Sequence, residues 1–150
     1  ARSDNKNEFL LSSLCLANYK KIMNKQKILL VEDDDVLANV ITDNLVQAGF
    51  NYIRAKDGEE GLSMALSEKP DLILLDILMP KMDGFSVLEK LRQDEWGKYV
   101  PVIILSNLGS PEDISKALKS MGGLKGYLVK SQWQIEDVIE KVKDQLKLKT

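Results

Sequence analysis

The fold is decided by a short stretch near the start of the chain that reads Lys27-Ile-Leu-Leu-Val-Glu-Asp-Asp34. An unbroken apolar run, Ile28 to Val31, leads directly into a group of acidic residues. A continuous apolar run of this length is typical of a strand that is covered on both faces, as the strands of a parallel sheet are. The stretch therefore predicts a buried parallel strand that ends in carboxylates.

Four later runs repeat the strand pattern, and amphipathic stretches separate them. The continuous apolar runs are Leu72 to Leu75, Val102 to Leu105 and Tyr127 to Val129. A more polar run from Tyr52 to Ala55 contains Arg54 and fits the edge of a sheet better. Between the runs, apolar residues recur every three or four positions, which is typical of helices packed on a core. This alternation predicts an α/β fold: a three-layer, doubly wound, five-stranded parallel sheet.

The composition narrows the chemistry that is available. A chain of 150 residues with 44% hydrophobic and 29% charged residues has the size and composition of one globular domain. A net charge of −2 gives no basic footprint for nucleic acid, and no apolar run is long enough to cross a bilayer. Histidine is absent, which excludes histidine bases, nucleophile triads and histidine metal sites. The single cysteine, Cys15, cannot form an internal disulfide, so we expect a cytoplasmic protein.

The first residues of the chain do not share the strand and helix pattern. Residues 1–8 are polar, and Phe9 to Met23 form at most one helix with a partly apolar face. A secretory signal is not predicted, because no basic region precedes this stretch and no convincing small-residue cleavage site follows it. We expect residues 1–24 to be a leader, a tag-like segment or a docking helix, and residues 25–148 to form the domain.

Reactive side chains follow the ends of the central strands. They are Glu32, Asp33 and Asp34 after the first run, Asp76 after the third, Ser106 after the fourth and Lys130 after the last. In an open parallel sheet, ligands bind beyond the carboxyl ends of the strands, where the strand order reverses. Each residue alone could cap a helix or close a turn. Jointly they indicate a site, because a purely structural protein gains nothing from carboxylates at the ends of two neighbouring buried strands.

The residue types at these strand ends predict a metal-assisted reaction. Converging carboxylates repel each other unless one is protonated or a cation neutralises them. Oxygen ligands without histidine or cysteine favour Mg²⁺, which normally shares its shell with a phosphate. We expect Asp33 and Asp76 to hold the ion, with Glu32 acting through water. The reaction class is phosphoryl transfer, with Asp76 as nucleophile, Lys130 as a cation and Ser106 as a hydroxyl donor.

Four segments resemble the signature segments of two-component response-regulator receiver domains. In order along the chain they are Lys27 to Asp34, Pro70 to Gly84, Val100 to Ser106 and Gly126 to Lys130. The second of them reads Pro-Asp-Leu-Ile-Leu-Leu-Asp-Ile-Leu-Met-Pro-Lys-Met-Asp-Gly. Four segments at compatible spacing are far more specific than one short motif, and they cover the predicted domain. The resemblance implies a CheY-like, flavodoxin-like fold with the strand order 2-1-3-4-5.

The resemblance also implies a phosphoacceptor and a metal site. Asp76 takes the position of the residue that accepts a phosphoryl group from a histidine kinase or phosphotransfer protein. Glu32 and Asp33 take the positions of the acidic pair that organises Mg²⁺, and the backbone carbonyl of Leu78 completes the metal shell. A protein that resembles this family is expected to catalyse only its own phosphorylation and dephosphorylation.

Two further residues match the switch of the family. Ser106 stands at the position of the switch hydroxyl and Tyr127 at that of the switch aromatic, although a half-buried strand tyrosine explains Tyr127 equally well. Lys130 matches the family lysine, but Ser131 follows it where the family usually has a proline in a cis peptide. A cis bond before a residue other than proline costs roughly 2.5 to 4 kcal/mol. We therefore expect either a trans bond with a shifted loop or local strain.

We expect no output domain, since only Lys147 to Thr150 follow the last predicted helix. A single-domain receiver, monomeric or dimeric on phosphorylation, would act by docking to a downstream protein. The expected surface combines the helix predicted after Pro111, the last strand and the C-terminal helix. Its candidate members are Ile114, Lys116, Lys119, Trp133 and Glu140. For Trp133, a role as a packing anchor is the simpler interpretation.

Other functions fit parts of the pattern. The chain could be a degenerate receiver that serves only as an interaction module, or the receiver fragment of a larger regulator or hybrid kinase. A magnesium-dependent phosphohydrolase would use the same aspartyl nucleophile, but it usually needs a second acid where Leu78 stands. A flavodoxin-like nucleotide carrier would need a glycine-rich phosphate loop, whereas Glu32 to Asp35 places negative charge there.

Overall fold

The computed structural model describes residues 13–16, 25–107, 112, 124–130 and 132–147, and residues 13–16 are helical. From residue 25 onward, the described strands and helices are β1 (Lys27–Val31), α1 (Asp35–Gln47), β2 (Asn51–Ala55), α2 (Gly58–Glu68), β3 (Leu72–Asp76), α3 (Gly84–Arg92), β4 (Val102–Ser106), β5 (Leu124–Val129) and α4 (Ile135–Lys147). Most of the segment 1–24 lies outside the described residues, as does the helix predicted after Pro111 beyond residue 112.

The described strands form one parallel sheet in the order β2-β1-β3-β4-β5. The predicted α/β class, the parallel sheet and the order 2-1-3-4 are confirmed. β5 begins at Leu124, earlier than the run from Tyr127 predicts. The apolar pattern misses this part of the strand because Lys125 and Gly126 interrupt it, although the backbone pairs with β4 there.

The order of the strands reverses between β1 and β3. From β1 the chain moves outward to β2 and then returns on the other side of β1 as β3. Val31 pairs with Leu75 at the end of this ladder, so Glu32 and Asp76 follow side by side. A crevice at such a reversal is where ligands bind in open α/β sheets. The topology therefore places the acidic residues of two strands at one site.

Both faces of the sheet are buried, which explains the unbroken apolar runs. Alternate residues of β1 point to opposite faces, so Leu29 and Val31 lie in one core while Ile28 and Leu30 lie in the other. Helices α2 and α3 cover the first core, and α1 and α4 cover the second. β2 lies at the edge of the sheet, as its polar run predicts, with Tyr52 exposed.

Three helices begin with an aspartate cap close to the strand ends. The Asp34 carboxylate accepts hydrogen bonds from the first backbone N–H groups of α1, at 2.9 and 3.1 Å. Asp57 caps α2 and Asp83 caps α3 in the same way, each at 2.9 Å. Caps of this type typically contribute about 1 kcal/mol each. They fix the turns that connect β1, β2 and β3 to the helices that follow.

Gly84 allows α3 to begin directly against the backbone of Asp76. Its N–H donates a hydrogen bond to the carbonyl of Ile77 at 2.8 Å. A Cβ atom at this position would overlap the carbonyl oxygen of Asp76 and lie 2.9 Å from the Cα of Ile77. The turn after β3 therefore requires glycine here, and any side chain would displace the backbone beside Asp76.

We expect Gly84→Ala to lower the free energy of unfolding by about 1 to 3 kcal/mol, because the added methyl group overpacks the turn. Urea denaturation measures this change. The sign is informative, since alanine stabilises an ordinary helical position relative to glycine. Glu89→Ala, an exposed change on the same helix, should stay within about 0.5 kcal/mol. A Gly84→Ala protein as stable as the wild type would contradict this account of the turn.

Candidate functional site

Three carboxylates meet at the ends of β1 and β3. One carboxylate oxygen from each of Glu32, Asp33 and Asp76 lies within 4.8 Å of the other two. Glu32 is 1% exposed and Asp76 is 3% exposed, whereas Asp33 is open to solvent. The pocket therefore has two buried acidic walls and one acidic group at its mouth. A set of oxygen donors at this spacing fits a hard divalent cation.

Lys130 brings the one ammonium group that the described residues place in this pocket. Its Nζ lies 2.8 Å from an oxygen of Glu32 and 3.2 Å from an oxygen of Asp76. Lys130 directly follows β5, which lies two strands away from β3 in the sheet, and its side chain reaches the acids at the ends of β1 and β3. Three carboxylates and one ammonium leave two negative charges uncompensated when all are ionised. This is the charge that one divalent cation neutralises.

The electrostatics of the pocket oppose ionisation of the two buried acids. Burial raises the pKa of Asp76, the charge of Asp33 adds to this effect, and the ammonium of Lys130 opposes it. Burial likewise raises the pKa of Glu32, with Asp76 adding to the shift and Lys130 opposing it. Burial alone would lower the pKa of Lys130, but its bonds and charges with the two acids outweigh this and raise it. Lys130 thus stays charged, and the acids gain from a further cation.

Both carboxylate oxygens of Glu32 accept hydrogen bonds. One accepts from the ammonium of Lys130, and the other accepts from the N–H of Asp34 at 3.2 Å. Asp33 is exposed in the same turn. This arrangement is compatible with Asp33 as a direct metal ligand and with Glu32 acting through water, as the sequence predicts.

Ser106 lies at the end of β4 and is fully buried. Asp76 pairs with Leu105, so Ser106 comes one residue beyond the ladder partner of Asp76. Its backbone carbonyl accepts a hydrogen bond from the N–H of Lys130 at 2.8 Å. The backbones of the two predicted site residues are therefore directly linked. Leu78 follows β3 in the turn before α3 and is 57% exposed.

The structure describes the other predicted residues unevenly. Tyr127 lies in β5, paired with Ile104, and its side chain is outside the described part of the chain. Ser131 is also outside it, so the peptide between Lys130 and Ser131 stays a prediction. Trp133 is partly buried against the core of α1 and α4, where a packing anchor would lie. Of the candidate docking residues, Glu140 is exposed on α4, and Ile114, Lys116 and Lys119 lie outside the described residues.

Arg54 is a neighbour of the site, although the sequence pattern predicts it only as part of an edge strand. Its Nε and Nη2 donate to the backbone carbonyl of Glu32 at 3.2 and 3.0 Å. Its Nη1 lies 2.8 Å from Asp35, and this hydrogen bond lowers the pKa of Asp35. The available signal was an arginine near the end of the strand that neighbours the acidic strand. That signal becomes specific only once the pairing of β1 with β2 is known.

The fold and the acidic pocket define the chain as a CheY-like α/β protein with a site suited to Mg²⁺. The family model described as "Response regulator receiver domain" matches residues 28–143, so the chain belongs to this family. Receiver domains are signalling domains of two-component systems. They accept a phosphoryl group, interact with histidine kinases and bind Mg²⁺ at an acidic site.

Two curated relatives are transcription regulators by name. The chain is 36% identical over 117 residues to the "DNA-binding dual master transcriptional regulator RpaA" of Synechocystis, which covers 78% of this chain and 47% of that protein. It is 40% identical over 108 residues to the "Alkaline phosphatase synthesis transcriptional regulatory protein PhoP" of Bacillus subtilis, which covers 72% and 43%. The chain thus spans less than half the length of these two relatives.

Solved receiver domains share the fold. The receiver domain of the Francisella response regulator 1452 has a TM-score of 0.77 and 34% identity, covering 84% of this chain and all of that one. The receiver domain of a Pseudomonas aeruginosa sensor histidine kinase has a TM-score of 0.72 and 30% identity, covering 81% and 97%. That structure holds a magnesium ion in its active site cleft.

No helix within the described ranges is long and apolar enough to span a membrane.

We expect Asp76→Asn to raise the free energy of unfolding in metal-free buffer at neutral pH by on the order of 1 kcal/mol. The pKa of Asp76 is raised by folding, so its ionised form is less stable in the folded protein than in the unfolded chain. Asparagine keeps the shape and removes the charge. Urea denaturation in EDTA measures the change.

The matched control for this measurement is Asp43→Asn on α1, which is exposed and should change stability by less than about 0.5 kcal/mol. Asp76→Asn protein that is equally or less stable than the wild type would show that the buried carboxylate is not under electrostatic strain.

Proposed function

We propose that this chain takes a phosphoryl group from a histidine kinase or phosphotransfer protein onto Asp76 in a Mg²⁺-dependent step. The supporting observation is that a buried Asp76 shares one pocket with Glu32 and Asp33 and lies 3.2 Å from Lys130. These are a nucleophile, metal ligands and a fixed cation, which are the parts that phosphoryl transfer requires.

The metal would be held by Asp33, Asp76 and the backbone carbonyl of Leu78, with Glu32 acting through water. When bound, Mg²⁺ supplies charge stabilisation for the oxygens of the transferring group. A carboxylate oxygen of Asp76 attacks the phosphorus atom, and the bond from phosphorus to the donor breaks. The protein itself thus catalyses only its own phosphorylation and dephosphorylation.

Lys130 is assigned to the charge that develops on the phosphoryl oxygens. Its contacts at 2.8 and 3.2 Å hold the ammonium beside Asp76 before the phosphoryl group arrives. Fixed charges of this kind stabilise a transition state without a cost of reorganisation during the reaction. The raised pKa of Lys130 keeps the group protonated at any physiological pH.

Ser106 is assigned to the switch. We propose that its hydroxyl binds the phosphoryl group and that the change passes into β5 through the bond from the Lys130 N–H to the Ser106 carbonyl, at 2.8 Å. β5 carries Tyr127, and α4 follows it. The altered surface would then dock a downstream protein, or a second copy of the chain, through residues such as Glu140.

The proposed unit is the receiver domain at residues 25–148. Its own contacts are proposed to be with proteins rather than nucleic acid, because the chain carries a net charge of −2. A degenerate receiver would lack some of the acids, whereas all three are present in the pocket. Hydrolytic turnover is disfavoured because Leu78, rather than a second acid, stands two residues after Asp76.

Acetyl phosphate with Mg²⁺ should label the wild-type chain with one phosphate, as read by intact-protein mass spectrometry, and should not label Asp76→Asn. Asp83→Asn is the matched control, because it removes an acid of the adjacent turn while asparagine still caps α3. It should label like the wild type. Labelling of Asp76→Asn would move the acceptor elsewhere, and repeated turnover of the donor by the wild type would favour a hydrolase.

Ser106→Ala should bind the phosphoryl mimic beryllofluoride but transmit its effect poorly, because alanine lacks the hydroxyl that is proposed to bind the phosphoryl group. Amide hydrogen exchange of residues 124–147 measures the transmitted change. We expect the mimic to alter exchange there in the wild type and in Ser106→Thr, which keeps the hydroxyl, but much less in Ser106→Ala. Equal changes in all three proteins would refute the switch role of Ser106.

A further inference from the structure

All three nitrogens of the Arg54 guanidinium contact residues 32–35, which run from the end of β1 to the first residue of α1 and are called the acidic turn below. Nε and Nη2 donate to the backbone carbonyl of Glu32 at 3.2 and 3.0 Å, and Nη1 lies 2.8 Å from the carboxylate of Asp35. The side chain is 16% exposed, although β2 is an edge strand. Arg54 pairs with Leu30 in the sheet, so it reaches forward past the end of the ladder to this turn.

The residues on either side of Asp33 are held by separate contacts. The N–H of Glu32 donates to the carbonyl of Ala55 at 3.1 Å, and Arg54 binds the carbonyl of the same residue. On the other side, the Asp34 carboxylate caps α1. Asp33 is exposed between these fixed neighbours, and one of its carboxylate oxygens lies within 4.8 Å of an oxygen of Asp76. Its position relative to Asp76 is therefore set by the backbone on both sides.

We propose that Arg54 is a positioning residue that holds the acidic turn in the geometry that binds Mg²⁺. It acts through the carbonyl of Glu32 and the carboxylate of Asp35, and it does not touch the ion. The proposal rests on the proposed metal site. A planar guanidinium can make these bonds at the same time, whereas the ammonium of lysine is a single point of charge. A turn that is ordered before the ion arrives loses less conformational freedom on binding.

Positioning and simple electrostatics predict opposite signs. A positive charge near the pocket repels Mg²⁺, so an arginine that acted only through its charge would weaken binding, and its removal would strengthen binding. Loss of a positioning contact weakens binding instead. Lys56 separates the two effects, because its Nζ lies 3.6 Å from the same Asp35 carboxylate and the structure gives it no bond to Glu32.

Isothermal titration calorimetry with MgCl₂ alone tests the proposal. We expect Arg54→Gln to weaken Mg²⁺ binding roughly ten-fold, the lower end of the effect that is typical when the support of a metal ligand is lost. Arg54→Lys should be intermediate, since it keeps the charge but not the fork. Lys56→Gln should bind Mg²⁺ with unchanged or slightly higher affinity. Asp33→Asn is the positive control and should weaken binding strongly.

A second readout separates positioning from general damage to the fold. The rate of labelling by acetyl phosphate is measured against Mg²⁺ concentration. Arg54→Gln should raise the Mg²⁺ concentration that gives half the maximal rate, while the maximal rate at saturation stays within about two-fold. Should glutamine loosen the edge strand, Arg54→Lys gives the same comparison with the charge retained.

Three outcomes would overturn the proposal: equal or tighter Mg²⁺ binding by Arg54→Gln, an equal loss in Lys56→Gln, or a lower maximal rate with an unchanged Mg²⁺ requirement. Failure of the proposed function is distinguishable from these. Wild-type protein that binds Mg²⁺ but takes no label counts against Asp76 as acceptor, and an Asp33→Asn protein with wild-type affinity counts against the metal site itself.

Discussion

The burial of two neighbouring carboxylates, Glu32 and Asp76, beside a third acid, Asp33, is the constraint around which the site is arranged. The reversal of strand order brings these two groups together, and the sheet buries both. Lys130 compensates part of the charge, but burial outweighs its effect and keeps the pKa of both acids raised. A divalent cation would stabilise such a pocket, and the pocket would hold the carboxylate of Asp76 beside that cation. The stability cost of the pocket and its chemical use therefore have the same origin.

The rest of the domain keeps this unfavourable arrangement from relaxing. A sheet with helices on both faces fixes the strand ends in register, so the acids cannot separate without moving β1 against β3. Aspartate caps hold the helix starts, and Gly84 lets α3 begin directly against the backbone of Asp76. In the proposed mechanism, Ser106 and Lys130 transmit a change because the Lys130 N–H is bonded to the Ser106 carbonyl.

Much of the fold follows from the sequence because both faces of the sheet are buried. The runs that predict β1, β3 and β4 are continuous and apolar, and the structure extends each by one residue. The start of β5 is harder to predict, because Lys125 and Gly126 break the apolar pattern although the backbone still pairs with β4. The meeting of Asp33 and Asp76 followed from the rule for parallel sheets. The contacts of Arg54 could not be predicted, because they depend on the register of β1 with β2 and on a backbone carbonyl that no side-chain pattern reveals.

The central claim is that the buried carboxylate of Asp76 is the group that accepts the phosphoryl. Its most direct test is chemical trapping: protein treated with acetyl phosphate and Mg²⁺ is reduced with borohydride, which converts an acyl phosphate to an alcohol, and its peptides are sequenced by mass spectrometry. The account predicts that Asp76 alone is converted to homoserine and that EDTA abolishes the conversion. Conversion at another acid, or at Asp76 without any divalent cation, would contradict it.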